Sequence, residues 1–168
     1  MPFYLRPPNI ERLKARGDTM SLVRASRYRD PEIAEQARAL LAERMDHYVR
    51  QLDSKNLSVV AQARDALIAI GPPARDRLIF ILGEGHVHRR QDAAFVLGKM
   101  GDPVAVEPLC AALKFPDPLL RRLAAEALGR IGDPRAEKAL KRMVALEPNP
   151  AAAKSGRKAL SKLRGPAG

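Results

Sequence analysis

A sequence segment occurs twice in this chain with an offset of 31 residues. Residues 90–103 are RQDAAFVLGKMGDP, and residues 121–134 are RRLAAEALGRIGDP. A repeat of this length whose apolar residues follow helical spacing is typical of stacked helical arrays. The repeat therefore predicts a chain built from similar helical units, and one unit can be used to interpret the next.

The composition also favours helices. Hydrophobic residues make up 46% of the 168 residues, but aromatic residues only 4%, and a chain of strands would contain more aromatic and β-branched residues. The single cysteine, Cys110, rules out an internal disulfide. No apolar run is long enough for a signal peptide or a membrane span, so we expect a cytoplasmic protein that does not enter a membrane.

Asp-Pro and Asn-Pro pairs mark where helices begin. An Asp or Asn side chain at the N-cap accepts hydrogen bonds from free backbone N–H groups, and Pro suits the first helical position. These pairs start at Asp30, Asp102, Asp117, Asp133 and Asn149. With these starts, the apolar periodicity predicts five helix pairs. The first helices are expected at 18–27, 43–53, 73–83, 103–114 and 134–145, and the second helices at 31–42, 57–70, 87–100, 118–131 and 150–163.

These helices define the predicted domain organisation. We expect an N-terminal cap segment over residues 1–17, a repeat domain over 18–164 and a flexible C-terminal tail over 165–168. The apolar lead Met1–Leu5 is expected to cover the open end of the array. Pro108 falls inside a predicted first helix, where we expect it to remove a hydrogen bond and bend the helix.

Two segments of the repeat carry a family resemblance. The segments AAFVLGKMGDPVAVEPLCAAL (93–113) and AAEALGRIGDPRAEKAL (124–140) resemble the HEAT-like repeats of phycobilisome lyases, in which the proline at the place of Pro108 also recurs. The resemblance implies an all-α, right-handed α-solenoid whose second helices line a concave surface that binds another macromolecule. It does not imply one activity, because the family includes scaffolds, regulators and enzymes. Deoxyhypusine hydroxylases, which share the repeat type, hold iron with His-Glu dipeptides, and this sequence has none.

The charge of the chain is unevenly distributed. The net charge is +11, of which residues 1–30 carry +4 and residues 115–168 carry +7, while the segment between them is neutral. Such localised charge favours an anionic partner. A solvated, thermally robust surface is the alternative.

The exposed face of the second helices provides the candidate binding residues. In the fourth pair, Arg122, Glu126 and Arg130 follow one another at four-residue steps on the side opposite the apolar stripe. The equivalent positions predict a groove whose wall changes from acidic, at Glu35 and Glu43, to basic at the C-terminal end. The predicted binding set is Phe95, Lys99, Arg122, Arg130, Lys154, Arg157, Lys158 and Lys162.

The charged rows also have a simpler interpretation. Arg122, Glu126 and Arg130 suit an ordinary series of solvent-facing ion pairs at i, i+4 spacing. Three like charges at Lys154, Lys158 and Lys162 do not, because they repel one another and favour an external anion.

We predict a non-enzymatic binding scaffold without a cofactor, a metal site or catalytic residues. The expected partner is an acidic protein segment, and a nucleic-acid backbone is the alternative. Scarce aromatic residues weaken the case for base stacking. A subunit of a lyase-type or other modifying enzyme that acts with a second chain is the alternative function. Self-association through an open apolar end of the array is the third.

Overall fold

The computed structural model describes residues 7–164, and these residues form α-helices and two short 3-10 turns but no strand. The predicted all-α class is confirmed. Met1–Leu5 and the tail 165–168 lie outside the described residues. The helices are α1 (Ile10–Arg16), α2 (Thr19–Ala25), α3 (Pro31–Gln51), α4 (Leu57–Ile70), α5 (Pro72–Glu84), α6 (Val87–Met100), α7 (Val106–Ala112), α8 (Pro118–Ile131), α9 (Glu137–Leu146) and α10 (Pro150–Leu163).

The chain divides into two compact units between Ile70 and Gly71. In the first unit, α2 packs against α3 and α4, and α1 packs against α2 and α3. The second unit contains α5 to α10. The predicted cap segment and repeat domain remain predictions. Within residues 7–164, no helix is both long and apolar enough to cross a bilayer.

One long helix in the first unit replaces two predicted helices. Residues 31–51 form the continuous α3, whereas we expected separate helices at 31–42 and 43–53. After Pro31 this segment contains no Gly or Pro, and most of its residues favour a helix. Buried Leu41 and Val49 continue the apolar stripe across the expected break. The prediction of five separate helix pairs was therefore wrong in the first unit.

The second unit consists of three helix pairs, as predicted. Helix α5 packs against α6, α7 against α8, and α9 against α10. The successive second helices α6, α8 and α10 also pack side by side. The bounds of these three helices, and of α4 in the first unit, match the predicted second helices.

All five Asp or Asn side chains of the Asp-Pro and Asn-Pro pairs accept a backbone N–H group. Asp30, Asp117 and Asn149 begin α-helices as predicted, whereas Asp102 and Asp133 begin the 3-10 turns that precede α7 and α9. Asp117, for example, accepts from the amides of Leu119 at 3.2 Å and Leu120 at 2.9 Å. Asp102 also accepts from Nη1 of Arg75 at 2.8 Å, and this ion pair together with the Val104 amide lowers the pKa of Asp102. The caps therefore fix both helix starts and contacts between neighbouring pairs.

Small residues bring the second helices close together. A Cβ on Gly98 would lie 2.5 Å from Cβ of Ala127, and one on Gly129 would lie 2.9 Å from Cβ of Ala159. A larger residue at either glycine would force the helices apart.

Pro108 does not interrupt a helix. Residues 103–105 form a 3-10 turn and α7 begins only at Val106, so Pro108 is the third residue of α7. Backbone N–H groups in the first turn have no acceptor within the helix. The expected loss of a hydrogen bond was therefore wrong, because the α-helix begins three residues later than predicted.

Candidate functional site

A cleft of about 290 Å³ lies between α8 and α10 in the second unit. We call it the basic cleft. Gly129 and Ala159 line it where the two helices are close together, since a Cβ on Gly129 would lie 2.9 Å from Cβ of Ala159. Four residues of the predicted binding set line it, namely Arg130, Lys154, Lys158 and Lys162.

Three lysines form a row along α10. Lys154, Lys158 and Lys162 are all exposed and follow at four-residue steps, which corresponds to a rise of about 6 Å per step. Within residues 7–164, none of the three side chains makes a hydrogen bond or an ion pair. Their charges are therefore uncompensated by the part of the chain that the structure describes.

Glu126 lies at the α8 side of the basic cleft. Its carboxylate accepts a hydrogen bond from Nη1 of Arg122 at 3.1 Å and one from Oγ of Ser155 at 3.1 Å. Nη2 of Arg130 lies 3.9 Å from the other carboxylate oxygen. The i, i+4 ion pairs of the simpler interpretation are thus present on α8. These ion pairs do not involve Lys154, Lys158 and Lys162, so the positive charge of the lysine row on α10 stays uncompensated by the described residues.

Ser155 is a polar residue of the basic cleft that the sequence did not predict. Its hydroxyl donates a hydrogen bond to Glu126, which lies 29 residues earlier in the chain on α8. Neither residue type indicates this hydrogen bond in the sequence, and the separation of 29 residues differs from the repeat offset of 31. The hydrogen bond ties α10 to α8 at the middle of the cleft.

Phe95 on α6 provides an apolar surface near Arg130. The ring is partly exposed, and its centroid lies 5.8 Å from Nζ of Lys99 and 5.9 Å from the guanidinium carbon of Arg130. These distances are at the outer limit of a cation–π interaction. Phe95 and Lys99 therefore adjoin Arg130 without lining the cleft.

The remaining predicted positions are placed differently. Arg157 is exposed on α10 but does not line the basic cleft. Gln91, which corresponds to Arg122 one repeat earlier, donates from Nε2 to Oδ2 of Asp117 at 2.7 Å. Glu35 and Glu43 are exposed on α3 of the first unit, and the predicted acidic-to-basic gradient remains a prediction.

Cysteine and histidine side chains could act as nucleophiles or metal ligands, so their surroundings bear on chemistry at this surface. Burial raises the pKa of the Cys110 thiol to about 11, so the thiol is neutral at physiological pH. His86 is the N-cap residue of α6, and His88 lies in the first turn of that helix rather than in a loop. Within residues 7–164, no three His, Cys, Asp or Glu side chains are grouped so that they could hold a metal ion.

Comparison with known protein families gives a match that covers slightly more than half of the chain. Residues 76–161 match the family model described as HEAT repeats. This range covers most of the second unit and all residues that line the basic cleft except Lys162. The resemblance stated from the repeated segments is therefore confirmed.

One curated relative matches part of the chain. It is the phycocyanobilin lyase subunit alpha of Picosynechococcus sp., with 40% identity over 62 residues. The aligned segment is 37% of this chain and only 23% of that protein. The chain therefore spans about a quarter of the length of this relative.

Two solved structures share the fold over 92% of the chain. Human deoxyhypusine hydroxylase aligns with a TM-score of 0.59 and 25% identity, over 66% of its own chain. An engineered protein aligns with a TM-score of 0.52 and 19% identity, over 83% of its chain. With the family match, these alignments confirm the predicted fold class, an α-solenoid of HEAT-like repeats.

Proposed function

Because this chain belongs to the HEAT-repeat family, we propose that it is a non-enzymatic binding scaffold whose basic cleft engages an acidic segment of a partner protein. The observation that carries this proposal is the row of Lys154, Lys158 and Lys162. All three side chains are exposed and make no ion pair with the described residues. Phe95 and Arg130 extend the contact surface toward α6.

The energetics of α10 favour an external anion. Like charges at i, i+4 spacing destabilise a helix by about 0.2–0.5 kcal/mol per pair. An anionic ligand would remove this repulsion and gain attraction to all three ammonium groups at once. The row is therefore more favourable in a complex than in the free chain.

The spacing of the row suits an extended peptide. Successive lysines rise by about 6 Å along α10. In an extended peptide, alternate side chains share a face and repeat at about 6.6 Å, since each residue rises by about 3.3 Å. A segment with Asp or Glu at every second position would thus place one carboxylate near each lysine.

The scarcity of aromatic residues favours a protein partner over a nucleic acid. Phe95 is the aromatic residue of the predicted binding set, and a single ring gives little support for base stacking. Binding of a nucleic-acid backbone is therefore treated as the alternative result of the test below.

The test compares two labelled probes of similar charge. The first is a peptide with Glu at alternate positions, and the second is a short duplex DNA. We expect the peptide to bind more tightly than the duplex and to be released by high salt. Tighter binding of the duplex would reject the protein partner, and no binding of either probe would reject the scaffold role of the cleft.

A second candidate function is a subunit of a lyase-type or other modifying enzyme that acts with a second chain. It is favoured by the 40% identity to the phycocyanobilin lyase subunit alpha over 62 residues. The test replaces that subunit with this chain in the relative's lyase assay. Product formation that requires both this chain and the other subunit would support an enzymatic role, and no turnover would reject a direct replacement of that subunit.

A further inference from the structure

A larger pocket, of about 700 Å³, lies in the second unit between the C-terminal ends of α7 and α9. We call it the apolar pocket. None of its residues belongs to the basic cleft. Much of its lining is apolar, including Leu113, Phe115, Met143 and Leu146. Its volume is within the range of small-molecule sites, which is about 300–1,000 Å³.

One arginine holds two of the walls in place. Nη1 of Arg121 donates to the carbonyl oxygens of Phe115 at 2.8 Å and Pro116 at 2.6 Å. Nη2 of the same side chain donates to Oε1 of Glu147 at 2.7 Å, and this oxygen also accepts from the Asn149 amide at 2.9 Å. The segments after α7 and α9 are thereby fixed to the start of α8. The pocket is therefore formed before any ligand arrives.

The uncompensated charges on the lining are positive. Lys114 and Arg142 are both exposed, and within residues 7–164 neither side chain makes a hydrogen bond or an ion pair. The lining carboxylate, Glu147, has a side chain that is only 1% exposed and is paired with Arg121. A ligand would thus meet two free cations and no free carboxylate among the lining residues.

The apolar surface beside these cations is also uncovered. Leu146, the last residue of α9, is 72% exposed. Burying a leucine side chain contributes about 1.5–3 kcal/mol. An occupant with an apolar body would gain this contribution together with attraction to Lys114 and Arg142.

We propose that the apolar pocket binds a small anionic ligand with an apolar body, whose acid group pairs with Lys114 and Arg142 and whose body covers Leu146. The ligand class follows from the volume, the apolar lining and the sign of the free charges. This site is separate from the basic cleft and does not depend on the proposed scaffold function.

Two fluorescent probes test the charge requirement. Anilinonaphthalene sulfonate and phenylnaphthylamine share the same aromatic body, and only the first carries a sulfonate group. We expect the sulfonate probe to bind about tenfold more tightly, since two partly exposed ion pairs together contribute about 1.4 kcal/mol. Lys114→Glu combined with Arg142→Glu should remove this preference, whereas Leu146→Ser should weaken both probes. All three residues are exposed, and circular dichroism will verify that the variants fold.

Cys110 provides an independent reading of occupancy. It is the only cysteine of the chain and lines the apolar pocket. At about pH 9, where a fraction of the thiol is deprotonated, saturating sulfonate probe should slow its alkylation by iodoacetamide severalfold. Replacing Lys154, Lys158 and Lys162 with Glu should leave this protection unchanged, which separates the site from the basic cleft. Equal affinity for the two probes, or an alkylation rate that the sulfonate probe does not change, would overturn the proposal.

Discussion

Gly98 on α6 lies so close to Ala127 on α8 that a Cβ on the glycine would be 2.5 Å from Cβ of the alanine and 2.6 Å from its Cα. Real side chains do not approach backbone atoms so closely, so this helix contact requires glycine. Gly129 and Ala159 repeat the relationship between α8 and α10. Gly129 and Ala159 also line the basic cleft.

Gly98→Ala tests this contact, with Gly83→Ala as its matched control. We expect Gly98→Ala to lower the free energy of unfolding by about 1–3 kcal/mol, because α6 and α8 must move apart. Gly83 lies inside α5 with nothing within 4 Å of a Cβ, so Gly83→Ala should raise stability by about 0.5–1 kcal/mol. Urea unfolding followed by circular dichroism measures both. If Gly98→Ala also raised stability, the close contact would be refuted.

Arg121→Ala tests the ion pair behind the apolar pocket. Removal of Arg121 leaves the nearly buried carboxylate of Glu147 without its cation, so we expect a loss of about 3–5 kcal/mol. Arg157→Ala is the control, because Arg157 is exposed and its side chain makes no hydrogen bond or ion pair with the described residues, and it should change stability by less than about 0.5 kcal/mol. Urea unfolding again provides the measurement. Equal effects of the two substitutions on the free energy of unfolding would show that the ion pair does not stabilise the fold.

The same ion pair predicts how stability depends on pH. The hydrogen bonds from Arg121 hold the pKa of Glu147 below its usual value of 4.5. A carboxyl group whose pKa is lowered in the folded state contributes stability that is complete above the unfolded pKa and is lost as the pH falls through the folded pKa. We therefore expect Tm to decrease as the pH is lowered below about 4.5. Glu147→Gln should lose stability less steeply over this range, and an unchanged slope in thermal unfolding would contradict this assignment.

Local sequence signals predicted much of the second unit. The residues that begin and end α8 act within one turn of the helix, since Asp117 accepts nearby amides and Gly132 adopts a positive φ of 74° after Ile131. Such short-range chemistry does not depend on the rest of the fold. For this reason the second helices could be placed correctly from the sequence.

Features that depend on distant residues could not be predicted in the same way. The repeat pattern predicted a boundary near Glu43, but α3 continues through it because the segment contains no helix-breaking residue. The hydrogen bond of Ser155 in the basic cleft is made to Glu126, which lies on a different helix. The apolar pocket combines segments that follow two separate helices, and no local pattern in the sequence marks it.

The central claim is that the lysine row on α10 is the contact surface for an acidic segment. Its most direct test replaces Lys154, Lys158 and Lys162 with Glu. The control makes the same change of net charge in turns of the first unit, where the exposed Arg27, Arg29 and Lys55 are replaced with Glu. Neither set removes a side-chain hydrogen bond or ion pair with the described residues, so circular dichroism and Tm should remain close to those of the unchanged chain.

Fluorescence anisotropy with the labelled alternating-Glu peptide at low salt compares the two variants. We predict that the α10 variant loses at least about 100-fold in affinity, while the control stays within about threefold of the unchanged chain. Retained affinity in the α10 variant, or an equal loss in the control, would contradict the claim.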